Sequence, residues 1–375
     1  MIYIAILISS IYILSIITFI IGFDMVKIVK NKNYSPKKSF SIVIPFRNEA
    51  INLPVLLDSL SSLNYPTYLF EILFINDDST DNFKIIIENF QKQNPLINSH
   101  IINNCRKTKS PKKDAILTAV EHSKFDWIVT TDADCEAPIN WLNIFNQFIE
   151  DYEPLLISAP VKFKPQNSIL HHFQNLNFLS LIGSTIGGFG LKQPFMCNGA
   201  NLCYDKKTFI EINGFSGNEN IASGDDIFLL QKINEIYPNK VTFLKSEQSI
   251  ITTKSENNWK LFINQQIRWA SKSTAYKGKF AKFIGITVYL ENLIMVCLGL
   301  LTLLNLFYWK IFIFFLILKI IVDYILISKT SNFLKIKKTN IYYLIISLFY
   351  PFHTTIIGCS SLFKKYEWKD RRFNK

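Results

Sequence analysis

The sequence predicts an α/β domain with a mostly parallel sheet, set between an N-terminal membrane anchor and a C-terminal group of membrane helices. Three observations carry this expectation: an uncharged apolar opening, an alternation of short apolar runs with amphipathic stretches in the middle, and a second apolar region towards the end. The first charge is Asp24, and residues 1–23 are almost entirely aliphatic and aromatic. That length crosses a bilayer core of about 30 Å. A cleaved leader would need a basic start, a shorter apolar run and a small-residue cleavage site, and none of these is present. Lys27, Lys30, Lys32, Lys37 and Lys38 follow the run. The preference of basic residues for the cytoplasmic side predicts that the N-terminus lies outside and the chain after Lys27 lies in the cytoplasm.

From residue 40 to 247 the pattern is that of a globular α/β domain. Short apolar runs at 40–45, 70–76, 127–131 and 155–161 read as strands, and amphipathic stretches at 52–63, 83–90 and 114–121 read as the helices between them. Strands alternating with helices imply parallel crossover units. Residues 171–193 are rich in Gly and Ser and mildly apolar, which predicts an irregular connection or an interfacial element.

Residues 292–309 carry no charge, residues 311–328 are apolar apart from Lys319 and Asp323, and residues 339–363 are again uncharged with Pro351 and His353 in the middle. The expectation is two spanning helices and a third apolar segment. That segment either spans once or turns back at Pro351 as a re-entrant hairpin, because the basic cluster Lys335, Lys337 and Lys338 and the tail Lys364, Lys365, Lys369, Arg371, Arg372 and Lys375 both favour the cytoplasmic side. Lys319 and Asp323, at i and i+4, are expected to pair with each other. The predicted organisation is an anchor at 1–23, a cytoplasmic domain at 39–272, a membrane region at 283–363 and a basic tail at 364–375.

Hydrophobic residues make up 49% of the chain, enough for a large core and for lipid-facing surface, and the formal net charge is +12. Such a charge suits anionic lipid, an anionic substrate or nucleic acid. No zinc-finger spacing or RNA-binding signature accompanies it, so nucleic acid is set aside. The six cysteines form no CxxC pair, which predicts free thiols in a reducing compartment. His171 and His172 have no carboxylate beside them at metal-site spacing and are not expected to be ligands.

Three polar clusters follow predicted strands. Thr130-Thr131-Asp132-Ala133-Asp134 closes the run at 127–131. Carboxylates at i and i+2 can share one hard divalent cation when the backbone turns between them, and that cation can bridge two phosphates. Asn76-Asp77-Asp78-Ser79-Thr80-Asp81 closes the run at 70–76 and can hydrogen-bond a base or ribose, while Ser79 or Asp78 can equally cap the following helix. Pro45-Phe46-Arg47-Asn48-Glu49 ends the first strand, with Asn52 placed to cap the next helix. Open α/β sheets bind ligands beyond the C-terminal ends of their strands. The three clusters therefore define one site.

The chain resembles family 2 glycosyltransferases of the GT-A fold, a Rossmann-like architecture. The resemblance is to the membrane-bound branch that includes cellulose-synthase-like, poly-N-acetylglucosamine-synthase-like and ceramide-glucosyltransferase-like enzymes. The matching segments are SIVIPFRNEA at 41–50, NDDSTD at 76–81, PKKDAI at 111–116, TTDADC at 130–135, CNGANLCYDKKTF at 197–209, INGF at 212–215, SGDDIFLL at 223–230 and QQIRW at 265–269. Each is weak alone; their order and spacing together are specific.

The resemblance implies that Pro45, Arg47 and Glu49 hold the nucleoside, that Asp77 contacts the base, and that Lys112 lies near the donor phosphates. It further implies that Asp132 and Asp134 bind Mg²⁺ or Mn²⁺, and that Gly199, Ala200 and Asn201 form the acceptor-side loop. Asp226 matches the catalytic base, with Asp225 beside it. Gln265, Arg268 and Trp269 match the QxxRW signature that closes over donor or acceptor; Trp269 can equally pack against membrane helices. Gly224-Asp225-Asp226 departs from the usual acidic triplet, and Pro111 replaces the glycine usual before the donor-site lysine. The implied reaction is inverting transfer from a nucleotide-sugar, most simply a UDP-sugar, to a membrane lipid or lipid-linked glycan at the inner membrane. A processive polysaccharide synthase is the alternative that QQIRW favours.

Overall fold

The computed structural model describes residues 2–32, 34–219, 221, 223–272, 278–337, 339–363, 366–369 and 371–373. The chain opens with α1 (Ile2–Met25), then β1 (Phe40–Phe46), α2 (Leu53–Ser61), β2 (Phe70–Asn76), α3 (Phe83–Gln93) and β3 (Asn98–Asn103). There follow α4 (Pro111–His122), β4 (Trp127–Thr130), α5 (Trp141–Tyr152), β5 (Leu156–Ser158), β6 (Val161–Phe163) and α6 (Ile169–Gly190). Then come β7 (Leu202–Asp205), α7 (Lys206–Glu211), α8 (Asp225–Ile236), β8 (Val241–Phe243), β9 (Ile251–Thr253) and α9 (Trp259–Ser271). The chain closes with α10 (Lys279–Leu303), α11 (Trp309–Phe333), α12 (Thr339–Phe363), β10 (Tyr366–Trp368) and β11 (Arg371–Phe373). It divides into two compact units: Lys27–Lys164 with Met196–Lys254, and Met1–Val26 with Pro165–Phe195 and Ser255–Lys375.

The first unit is built on a seven-stranded sheet of order β3-β2-β1-β4-β7-β5-β8. β1 pairs in parallel with β2 from Phe40–Phe70 to Phe46–Asn76, and with β4 from Phe40–Trp127 to Val43–Thr130. β7 runs antiparallel to both β4 and β5, and the sheet is otherwise parallel. Ile42, Val43, Ile44, Ile72 and Phe74 are fully buried. Continuous apolar runs are what strands covered on both faces require. The chain steps outward from β1 to β2 to β3 and then returns to β4 on the other side of β1. That reversal opens a crevice beyond the strand ends, where Arg47, Asp77 and Asp132 follow β1, β2 and β4. The run at 155–161 is divided between β5, in the main sheet, and β6, which pairs with β9 in a separate two-stranded sheet.

In the second unit, α1, α10, α11 and residues Ile341–Phe363 of α12 are long and apolar enough to cross a membrane. Residues 171–193, expected to be an irregular connection or an interfacial element, are not irregular and lie mostly in α6, a 22-residue helix. Its glycines serve close packing. A Cβ on Gly187 would meet the Phe19 carbonyl oxygen of α1 at 2.5 Å, and one on Gly183 would meet Thr330 Oγ1 of α11 at 2.5 Å. Small residues that let backbones approach are the usual basis of helix association in lipid. Residues 339–363 form one helix with Pro351 inside, not a hairpin. Pro351 removes one backbone donor, and within spanning helices neighbouring side chains can satisfy the carbonyl so freed.

The expected pair forms: Lys319 Nζ lies 2.5 Å from Asp323 Oδ2, and Tyr12 Oη donates to Asp323 Oδ1 at 2.7 Å. Glu291 of α10 is also buried and accepts from Ser9 Oγ at 2.9 Å. A charge-free window from residue 292 therefore began inside the helix, whose span includes a carboxyl group held by a hydroxyl. All six cysteines stand as free thiols. Of the basic residues expected on the cytoplasmic side, Lys338, Lys364, Lys365 and Lys375 lie outside the described residues.

Candidate active site

The loop after β1 is fixed by the loop after β2. Arg47 Nη1 donates to the carbonyl oxygens of Asp77 and Asp78 at 2.8 and 2.6 Å. Asn48 takes a positive φ of 53°; its N–H donates to Ser79 Oγ at 3.0 Å and its Oδ1 accepts from Thr80 N at 2.8 Å. Ala50 N donates to Asp81 Oδ2 at 2.7 Å. Ser79 and Asp81 thus tie the two loops together. Neither Ser79 nor Asp78 caps α3, whose N-cap is Asn82 without a side-chain bond. Asn52 sits at the N-cap of α2 without a capping bond, and its carboxamide donates to Glu49 Oε2 at 2.5 Å. Glu49 is buried and Pro45 half-buried.

Asp77 is held by residues that the sequence reading missed. Arg106 Nε lies 2.6 Å from Asp77 Oδ1, Asn104 Nδ2 donates to the same oxygen at 2.8 Å, and Arg106 Nη2 reaches Asp78 Oδ2 at 2.8 Å. Both partners follow β3. That strand is half-exposed and lacks an apolar run, and reading it would have exposed a fourth strand end.

The backbone turns sharply after β4. Cys135 N donates to Asp132 O at 3.2 Å, so the backbone reverses across the triplet. Thr131, Ala133 and Cys135 are buried while Asp132 and Asp134 are half-exposed. Burial raises the Cys135 thiol, with Asp134 and Asp132 adding to it, which makes it an inert thiol.

Lys112, in the first turn of α4, lies 2.6 Å from Asp132 Oδ1 and 3.8 Å from Asp225 Oδ2. Burial alone would lower its pKa; Asp132, Asp225 and Asp226 outweigh burial and hold it above the ordinary lysine value. Gly199 N donates to Asp226 Oδ2 at 3.2 Å, and a Cβ on Gly199 would lie 3.2 Å from Asp225 Oδ2 and 3.5 Å from Lys112 Nζ. A side chain at this position would crowd the carboxylates, which explains glycine here. Ala200 is buried, and its N–H is taken by Asn198 Oδ1 at 3.0 Å. Asn201, expected on the acceptor side, is fully buried. Its Nδ2 donates to the carbonyls of Pro160 and Ser249 at 2.7 and 2.6 Å, and its Oδ1 accepts from Trp141 Nε1 at 3.0 Å. Its carboxamide pins three segments and is committed to the framework.

Three carboxylates around one ammonium leave an excess of two negative charges, which a divalent cation would balance. Among the described residues no three His, Cys, Asp or Glu side chains converge on one metal position. A Mg²⁺ or Mn²⁺ ion here would be held by Asp132 and Asp134 alone from the protein and would complete its shell with ligand oxygens and water.

Gln265, Arg268 and Trp269 lie on α9, in the second unit. Gln265 Nε2 donates to Glu256 Oε1 at 3.0 Å, and Trp269 lies 6.3 Å from the Phe178 ring. Burial raises the Glu256 carboxyl, with Arg268 and Lys369 opposing. Glu256 joins the signature residues and carried no motif of its own.

This fold is that of a sugar-transfer family. The profile described as "Glycosyl transferase family 2" matches residues 41–212, and "Glycosyl transferase family group 2" matches residues 127–327. The chain belongs to the family 2 glycosyltransferases. It is 28% identical over 188 residues to undecaprenyl-phosphate 4-deoxy-4-formamido-L-arabinose transferase of Shewanella sediminis (strain HAW-EB3), covering 47% of this chain and 55% of that one. It is 26% identical over 187 residues to the enzyme of the same name from Yersinia pestis (strain Pestoides F), with the same coverage. The chain thus spans about half the length of these curated relatives. Among solved structures, the mannosyltransferase PcManGT from Pyrobaculum calidifontis, in complex with GDP-Man and Mn²⁺, superposes with a TM-score of 0.63. The two are 13% identical, with 95% of this chain and 98% of that one covered, a likeness of fold.

Proposed function

We propose that the protein transfers a sugar from a nucleotide-sugar to a membrane lipid, with inversion at the anomeric carbon. The observation that carries this is the convergence of Asp132, Asp225 and Asp226 on Lys112. Negative charge builds on the departing diphosphate, and an ammonium fixed in place stabilises it without reorganising. A bound Mg²⁺ or Mn²⁺ ion, held by Asp132 and Asp134, would supply further charge neutralisation there. Asp226 accepts the proton of the incoming hydroxyl, on the face opposite the leaving group, so an α-linked donor gives a β-linked product. Arg47, Glu49 and Asp77 are assigned to the nucleoside, Gly199 and Ala200 to the acceptor side, and Gln265, Arg268 and Trp269 to closure over donor or acceptor.

The undecaprenyl-phosphate transferases among the relatives support a polyprenyl-phosphate or similar lipid acceptor. UDP is the carrier favoured by the family resemblance. The lysines after α1 support a transferase unit on the cytoplasmic side of the inner membrane. Membrane vesicles containing the protein, given a panel of labelled nucleotide-sugars, test this reading. Inverted vesicles should move label into extractable lipid, and sealed right-side-out vesicles should not. Label in insoluble polymer would instead establish the processive synthase. Release of a nucleoside monophosphate would indicate phosphotransfer, and activity confined to right-side-out vesicles would overturn the topology.

A further inference from the structure

We propose that Lys113 is a positioning residue that holds the α7–α8 connection so that Asp225 and Asp226 are presented to the site. Lys112 and Lys113 are neighbours in the first turn of α4, yet they point to different partners. Lys112 reaches the carboxylates. Lys113 is buried, 1% exposed, and its Nζ donates to the carbonyl oxygens of Asn218 and Ile221 at 2.6 and 2.8 Å. The same ammonium lies 4.7 Å from the Phe228 ring centroid and 6.0 Å from that of Phe215. Phe228 is two residues beyond Asp226 on α8. One buried cation therefore ties down both the connection that enters α8 and the first turn that carries the carboxylates.

The neighbouring Ser110 acts on the same segment, its Oγ standing 2.8 Å from the carbonyl oxygens of both Glu219 and Ile221. Gly224, at φ 86°, makes the final turn into α8. Lys232 of α8 holds the start of the connection through the carbonyls of Gly214 and Ser216 at 2.9 and 3.1 Å, and α4 holds its later part, at Asn218, Glu219 and Ile221. A buried ammonium without acceptors would be costly, so the carbonyls and rings must stay close to Lys113. α4 thereby couples the phosphate-facing lysine to the acceptor-facing carboxylates across one helical turn. Packing alone would need only an apolar side chain at 113, and would not require a cation facing two carbonyls.

The inference rests on the assignment of proton transfer to Asp226. Its test compares the full-length wild type with Lys113→Met, and with Ser110→Ala as a milder second variant. The measurements are UDP affinity in the presence of Mn²⁺, turnover with the donor identified in vesicles, and amide hydrogen exchange. Lys113→Met should lower turnover by about 10²-fold, the scale of misplacing a reacting group by roughly 1 Å, and change UDP affinity far less than turnover. Exchange should quicken in the α7–α8 connection while β1 and β2 keep wild-type protection. Normal turnover, or exchange that quickens equally throughout the sheet, overturns the proposal. If Lys113→Met does not fold, Ser110→Ala decides by the same readouts, with smaller shifts in the same direction. Should the wild type transfer no sugar at all, the functional reading fails, and the exchange comparison still decides whether Lys113 holds the connection.

Discussion

Asp132→Asn should lower turnover by about 10²–10³-fold, the loss expected when one preorganised electrostatic stabiliser is removed. Asp134→Asn should act in the same sense, and excess chelator should abolish transfer. The half-exposed placement of both carboxylates, with their neighbours buried, motivates this. So does the surplus negative charge around Lys112. The two variants differ in one respect. Asp132 is the shortest contact of Lys112, at 2.6 Å, so Asp132→Asn also frees the ammonium towards Asp225. Asp134→Asn leaves the Asp132–Lys112 and Asp225–Lys112 contacts in place, so its replacement reports chiefly on cation binding. Titrating Mn²⁺ against UDP affinity separates the effects: wild-type affinity should rise with the metal, and the rise should be lost in Asp134→Asn. Full activity in chelator would remove the metal from the mechanism and leave Lys112 as the principal local cation.

The strands that carry these clusters were legible because each combines an uninterrupted apolar run with a polar segment at its end. β1, β2 and β4 show this signature because they are buried on both faces. β3 is half-exposed, and β7, β8 and β9 have three or four residues each, too few for any periodicity to show. α6 was not legible as a helix for a different reason. Gly183, Gly187, Gly188 and Gly190 lower helix propensity, by about 1 kcal/mol each relative to Ala. Propensity describes an isolated helix, however, and here the missing side chains admit the backbone of α1 and the side chains of α11. At the site, residue types were legible and their supports were not. Asp77 was visible after an apolar strand; Arg106 was hidden after a strand with no pattern. Asn201 matched the acceptor-side segment by order, and tertiary packing committed its carboxamide to Pro160, Ser249 and Trp141.

Asp226→Asn should lower turnover by about 10²–10⁴-fold, the range typical of general-base assistance, while UDP affinity stays near the wild-type value. A base acts on the incoming hydroxyl chiefly in the transition state, so its loss appears in turnover more than in ground-state binding. Asn keeps the shape, and its carboxamide oxygen can still accept the Gly199 N–H now received by Asp226 Oδ2 at 3.2 Å. The loop geometry is therefore preserved while the proton acceptor is removed. Asp225→Asn should show the opposite balance. Asp225 faces Lys112 at 3.8 Å, and burial and Asp225 together raise the Tyr204 hydroxyl behind it. Removing that carboxylate alters the charge next to the phosphate-facing lysine, so UDP affinity should shift and turnover should fall less. Calorimetry with UDP and Mn²⁺ beside steady-state turnover resolves the pair. If Asp225→Asn is inactive while Asp226→Asn turns over normally, the base is Asp225 and the Gly199 contact of Asp226 is a loop anchor. If both variants lose UDP binding, the pair belongs to the donor site and the proton acceptor must be sought elsewhere.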